Sequence, residues 1–319
     1  EEMTCLKVQH IYRTNPQWQG LPLVVAGGLF ANVKLNQRIL ALPEVSNIYV
    51  HPNMGDAGLA TGAALYADAQ KRNDWRPKYM KTAYLGTNID TSAATAACAA
   101  TNIQCQPFSE ESGEQELVET VASALAEGKV IARAQGSMEY GPRALGNRSI
   151  IAKADDPSIN DWLNNQLERS EFMPFAPMVM AEHAKEYFPD YKDEHYAARF
   201  MTITYDASDK AKKEIPAAIH VDGTARPQIV YKEDNPEMHA ILSAYYNKTG
   251  VASVINTSFN MHEEPIVRTA EEAITAAKQA NLGGLILGGC WLTKEELLKA
   301  PLEKSTEVNK ETDDWLEAQ

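Results

Sequence analysis

The sequence predicts an α/β fold. Three observations carry this: short apolar runs that stop at glycine, amphipathic segments with apolar residues three and four apart, and the alternation of the two along 319 residues. The run LPLVVA at 21–26 reads as a buried strand entering a turn at Gly27-Gly28. Residues 33–41 read as a short helix and 48–50 as a second strand. Gly55-Asp56-Ala57-Gly58 then opens an Ala-rich helix over 59–69. The polar stretch 73–77, with its proline, marks a domain boundary near 70–82.

A strand at 82–85 opens the second region. Leu117, Val118, Val121 and Leu125 recur at helical spacing, and Gly128 is the stop signal. A strand follows at 129–134. Asp156-Pro157 starts a helix whose apolar face is Ile159, Trp162, Leu163 and Leu167. FMTITY at 200–205 alternates like a strand. Residues 237–246 read as helix and 251–255 as a strand running into Asn256-Thr257-Ser258. Thr269 with Glu272 forms a capping box for another helix. Residues 285–287 are the last expected strand, and 293–319 read as a charged tail or loose helix.

Composition bounds the function. At 44% hydrophobic and 23% charged, the chain has the make-up of a soluble globular protein. A net charge of −13 argues against non-specific binding to a nucleic-acid backbone. Cys5, Cys98, Cys105 and Cys290 make no CxxC pair, so neither a disulfide framework nor a zinc site is expected, and a reducing cytoplasm is the default. No apolar run approaches the roughly 20 residues of a membrane span, and residues 1–20 lack the apolar core of a signal peptide. Glu1-Glu2-Met3 is not a translation start, so the expectation is a piece of something longer.

Five constellations carry candidate chemistry. Gly27-Gly28 with Asn32 follows a strand, where glycines admit a ligand close to the backbone; a plain turn is the competing reading. Asp56, flanked by glycines, suits a metal or phosphate site as well as a helix cap. The run 135–150, QGSMEYGPRALGNRSI, is the strongest. It reads as a glycine-rich loop after a strand, holding Arg143 and Arg148 beside Glu139, Tyr140 and Ser149. Guanidinium forks match phosphate and carboxylate oxygens, and glycines open backbone N–H groups to an anion. His220-Val221-Asp222-Gly223-Thr224-Ala225-Arg226 reads as a hairpin between two strands, with Arg226 at the start of the second. Asn256, Ser258 and Asn260 lie where a strand ends, a favoured place for ligands.

In this order, and together with Pro174-Phe175-Ala176-Pro177, these segments resemble the NodU-type O-carbamoyltransferases over nearly all of 20–290. The GPRALGNRS run is the specific element. The resemblance implies a YrdC-like twisted, mixed α/β domain over 82–292, preceded at 1–75 by the C-terminal remnant of an actin-like (ribonuclease-H-like) ATPase domain, with 293–319 as the tail. Members turn carbamoyl phosphate and ATP into carbamoyladenylate and pass the carbamoyl group to an acceptor hydroxyl. Carried over, Arg143, Arg148, Arg169, Ser258 and Asn260 would be catalytic. Gly27, Gly28, Asn32, Glu139, Tyr140, Ser149, His220, Arg226 and Asn256 would bind substrate or nucleotide. Asp56 would be one ligand of a divalent metal, magnesium or iron, shared with the missing N-terminal part. Partners would be carbamoyl phosphate and a small-molecule hydroxyl (a sugar, antibiotic or natural product), with no nucleic acid and no membrane; a homodimer is left open. The chain departs from the pattern at Leu167-Glu168-Arg169, which lacks a Lys two residues before the Arg, at Met173 in place of an Arg, and at Ser137 after Gly136. Those departures keep two alternatives in view: a YrdC-like threonylcarbamoyl-adenylate synthase, and a nucleotide-binding module with impaired catalysis.

Overall fold

The computed structural model describes residues 1–76, 80–105, 113–168 and 175–299. The first layer comprises α1 (Glu2–Thr14), β1 (Leu23–Val25), α2 (Val33–Leu40), β2 (Ile48–Val50) and α3 (Leu59–Lys71). β1 and β2 pair in parallel, Leu23 opposite Ile48. Tyr12, Leu35, Ile39 and Val50 are buried against this small sheet. α3 buries none of its residues, and Leu59, Leu65 and Tyr66 stand exposed.

The second layer holds β3 (Tyr84–Ile89), α4 (Thr91–Ala100), α5 (Gly113–Ala126), β4 (Ile131–Ala134), β5 (Gly136–Glu139), β6 (Arg148–Ala152) and α6 (Ser158–Gln166). It continues through β7 (Ala176–Met180), α7 (Ala184–Tyr187), β8 (Tyr205–Asp206), α8 (Asp209–Glu214), β9 (Thr224–Ala225), β10 (Gln228–Val230) and α9 (Pro236–Thr249). β11 (Ser253–Ser258), α10 (Ala270–Gln279), β12 (Gly284–Leu287), β13 (Cys290–Thr293) and α11 (Lys294–Lys299) complete it. Seven strands form one sheet in the order β10-β7-β11-β6-β4-β12-β13. The pairs β10/β7 and β4/β12 are parallel and the other neighbours antiparallel. The sheet is mixed and its central strands are buried on both faces, so the α/β class holds. Helix ends follow the punctuation: Asn235 accepts from Met238 N–H at the start of α9, Gly250 closes it in the left-handed region, and Thr269 and Glu272 form the capping box of α10.

Several segments differ from the reading. FMTITY is not a strand. Met201 takes φ 54°, the Thr202 hydroxyl bonds back to Ala197 O (2.9 Å), and Thr204 bonds Gln37 of α2 (2.8 Å). These threonines satisfy local backbone and α2 rather than a ladder; only Tyr205 and Asp206 pair, with β9. The 220–226 segment is therefore a turn leading into one short strand, not a hairpin between two. The strand expected at 82–85 begins at Tyr84 and runs to Ile89. The supposed loop 135–150 contains β5 and β6 around a turn. Cys105 and Cys290 form a disulfide, whereas Cys5 and Cys98 are free and buried. A separation of 185 residues gave no local spacing from which to read that bond. Of the tail, 300–319 lies outside the described residues. Among the described residues no helix is long and apolar enough to cross a membrane.

Candidate functional site

One end of the seven-stranded sheet gathers the candidate residues. β6 and β10 begin there, and β4, β11 and β12 end there. Between β5 and β6 the chain makes the turn 140–147, organised by one buried carboxylate. Glu139 Oε1 accepts from the N–H groups of Leu145 (2.7 Å), Asn147 (2.8 Å) and Arg148 (3.3 Å). Gly141 and Gly146 both take φ 113°, which L side chains rarely adopt; a Cβ at Gly141 would lie 2.8 Å from Pro52 O of the first layer.

The two arginines of this run have different fates. Arg148 is fully buried, and its guanidinium donates to the carbonyls of Gln135 (3.2 Å), Asn147 (2.8 Å) and Thr87 (2.9 Å). It pins β3 and β4 to the turn. Burial pushes its pKa down to about 10, with Arg133 adding to the drop and Glu139 opposing it. Arg143 is half-buried, donates no side-chain hydrogen bond and makes no ion pair among the described residues, and its Nε is buried without a partner. Arg226 is close enough for its charge to interact with that of Arg143. Burial first, and Arg143 second, push Arg226 down to about 9. Two neighbouring cations are thus kept at the cost of desolvation.

The side chains beside them lock the backbone. Asn256 donates to Ala144 O (3.0 Å) and to Gln228 Oε1 (2.8 Å), and Gln228 donates to Leu145 O (2.7 Å). Arg143 is thereby fixed next to the strand that follows Arg226. Ser149 accepts from Gly146 N–H (2.9 Å) and lies in register with Ser258 of β11. The Asn260 amide donates to Met261 O (2.7 Å) and Glu264 O (3.1 Å), shaping the turn after β11. Burial lowers the pKa of His220, and Arg226 lowers it further. Arg169 and Pro174 lie outside the described residues.

The first-layer candidates are arranged differently. Asn32 is exposed and caps α2, accepting from Leu35 N–H (3.0 Å). Gly27 (φ 114°) and Gly28 are exposed, with nothing within 4 Å of an added Cβ. Asp56 is an exposed carboxylate. Among the described residues no three His, Cys, Asp or Glu side chains come together to hold a metal. Tyr140 is one bridge between the layers: its hydroxyl meets Thr61 Oγ1 (2.6 Å) and His51 Nε2 (3.3 Å).

Sequence reasoning missed a second ring around the turn. Buried Arg133 donates to Gly146 O (2.6 Å) and Asn147 Oδ1 (2.7 Å) and pairs with Glu237 (3.1 Å). Asn235 donates to Asn147 Oδ1 (3.0 Å) and the Tyr84 hydroxyl (3.1 Å). The available signal was an arginine inside the apolar strand VIARA, since a charge there requires buried partners.

Comparison with known proteins follows the same division. Residues 122–294 match the family model "Carbamoyltransferase C-terminus" and residues 2–65 match "Carbamoyltransferase N-terminus". The nodulation protein NolNO of Sinorhizobium fredii is 33% identical over 90% of this chain and 42% of its own length. The 3'-hydroxymethylcephem-O-carbamoyltransferase of Amycolatopsis lactamdurans is 29% identical over 87% of this chain and 50% of its own. An uncharacterized protein of Methanocaldococcus jannaschii is 36% identical over 86% and 44%. The chain spans about half the length of the curated relatives it matches. Among solved structures, full-length HypF in a phosphate- and nucleotide-bound form aligns with TM-score 0.41 and 20% identity, covering 55% of this chain and 25% of that one.

Proposed function

The chain belongs to the carbamoyltransferase family, and on that premise we propose that its second layer activates carbamoyl phosphate with ATP for transfer to a small-molecule hydroxyl. The observation that supports this reading is the Arg143–Arg226 pair, two half-buried guanidinium groups without carboxylate partners among the described residues, at the end of a sheet. Both substrates are polyanions, and preorganised cations counter charge that develops as phosphoryl and acyl groups move. Water releases carbamate and phosphate from carbamoyl phosphate. A carbamate oxygen attacks the α-phosphorus of ATP, and the bond to pyrophosphate breaks. The acceptor hydroxyl then attacks the carbonyl carbon of the adenylate and expels AMP. No protein nucleophile is needed when the reactants are held together.

In this proposal 82–292 is the adenylate-forming domain, and 1–75 belongs to the transferring one. Arg143 and Arg226 contact phosphate oxygens. Ser258 and Asn260 supply polar groups beside them, Glu139, Arg148, Ser149 and Asn256 hold the turn in shape, and Arg169 keeps its expected role at the site. Gly27, Gly28 and Asn32 line nucleotide in the longer protein, and Asp56 contributes to a metal held with ligands from elsewhere. The test is carbamoyl-phosphate-dependent exchange of labelled pyrophosphate into ATP. Wild-type chain is expected to exchange, and Arg143→Ala or Arg226→Ala to lower exchange about 100-fold or more. Exchange that is unaltered in both variants overturns the assignment of the arginines. Exchange that requires threonine and bicarbonate instead of carbamoyl phosphate overturns the choice of substrate.

A further inference from the structure

We infer that His220 selects the carbamoyl group by accepting a hydrogen bond from its N–H, so that this site discriminates carbamoyl phosphate from the isosteric acetyl phosphate. The inference rests on the anion-site reading above and adds a specificity element to it.

Asp222 fixes the hydrogen bonds of this turn. Its Oδ1 accepts from the Thr224 N–H (3.0 Å) and the Thr224 hydroxyl (2.7 Å), and its Oδ2 pairs with Lys34 of α2 (3.1 Å). These contacts, the Thr224 hydroxyl foremost, bring the Asp222 pKa down to about 2, so it is an ionised, acceptor-only group at neutral pH. The single hydroxyl hydrogen of Thr224 is therefore committed to Asp222. His220 Nδ1 lies 3.3 Å from that same Thr224 oxygen. Two lone pairs facing each other would repel, so Nδ1 carries the hydrogen and Thr224 accepts it. In the neutral ring the lone pair then resides on Nε2. Burial, the charge of Arg226 and that of Lys34 hold the ring neutral, while Asp222 opposes them.

The result is a site with a chemical asymmetry. Arg143 and Arg226 only donate, which suits phosphate oxygens. His220 Nε2 accepts no hydrogen bond among the described residues, and it demands a donor. Carbamoyl phosphate supplies both needs: anionic oxygens and an amide N–H. Acetyl phosphate has a methyl group in place of the amide and leaves the Nε2 lone pair unmet. Sites built to hydrogen-bond a substrate group reject analogues lacking it far more strongly than apolar pockets reject a missing methylene.

The experiment is titration calorimetry of the 319-residue chain with inorganic phosphate, carbamoyl phosphate and acetyl phosphate at pH 7.5. Wild type is expected to bind carbamoyl phosphate about tenfold or more tightly than acetyl phosphate. In Thr224→Val, which keeps shape but frees the ring to turn over, the ratio is expected to fall toward one, and Thr224→Ser to restore it. The ratio is also expected to fall in acid. Protonation of His220 converts Nε2 to a donor, and its lowered pKa places that change below the ordinary histidine value of about 6.5. A wild type that binds phosphate but holds both acyl phosphates equally overturns the role of His220 and leaves the arginine site standing. A wild type that binds none of the three overturns both. A ratio unchanged in Thr224→Val overturns the relay.

Discussion

The two layers use their signature residues differently. In the first layer Gly27, Gly28, Asn32 and Asp56 are exposed, and Asn32 is occupied with a helix cap. In the second, Glu139, Arg148, Ser149 and Asn256 are buried, each bonded to backbone or side chain of the turn 140–147 or the strands beside it. Arg143 donates no side-chain hydrogen bond among the described residues, and Arg226 lies near enough for their charges to interact. The lesson is that a conspicuous motif residue is not by that fact a ligand-binding one. Most of the GPRALGNRS run builds a rigid support so that one guanidinium can be presented with its charge unpaired.

The sharpest way to break this contrast is Arg148→Ala. It removes three hydrogen bonds, to the carbonyls of Gln135, Asn147 and Thr87, from a fully buried site; of these, Asn147 O keeps the Gln135 N–H (3.1 Å). The expected loss is about 3 kcal/mol or more, read from the midpoint of urea unfolding followed by tryptophan fluorescence. Tyr140→Phe tests the bridge. Losing the contact to Thr61 is expected to cost about 1 kcal/mol and to raise amide exchange at residues 51–61 more than in the sheet. Asp56→Asn is expected to change stability by less than about 0.5 kcal/mol in this chain, because the side chain is exposed. If Asp56→Asn proved as costly as Arg148→Ala, the first layer would be as tightly organised as the second and the contrast would fail.

Where local chemistry dictates structure, the sequence was legible. Thr269 and Glu272 cap α10 as read, β1 and β12 fall where apolar runs meet glycine, and β2 lies at the expected 48–50. Legibility ended where tertiary partners decide. β5 and β6 looked like loop because their residues are polar, yet Arg148 and Ser149 are buried by partners from β3, β11 and the turn itself. FMTITY alternated correctly but its threonines bond elsewhere. α4 lacks apolar–polar contrast because it is mostly alanine, and it was not seen at all. For the site, the arginine-bearing motifs could be read, but which arginine stays unpaired could not, since both sit in the same run.

The sheet order has a consequence in time. β4 finds its parallel partner only at β12, and the turn waits for residues made much later: Gln228, Asn235 and Gly289 bond groups 83, 88 and 154 positions before them. Such long closures are slow, because chain entropy is lost before any contact repays it. On an elongating ribosome the arginine run emerges before its supports and stays without them until nearly the whole described chain has been synthesised. Anion binding should therefore be among the last properties a refolding molecule recovers.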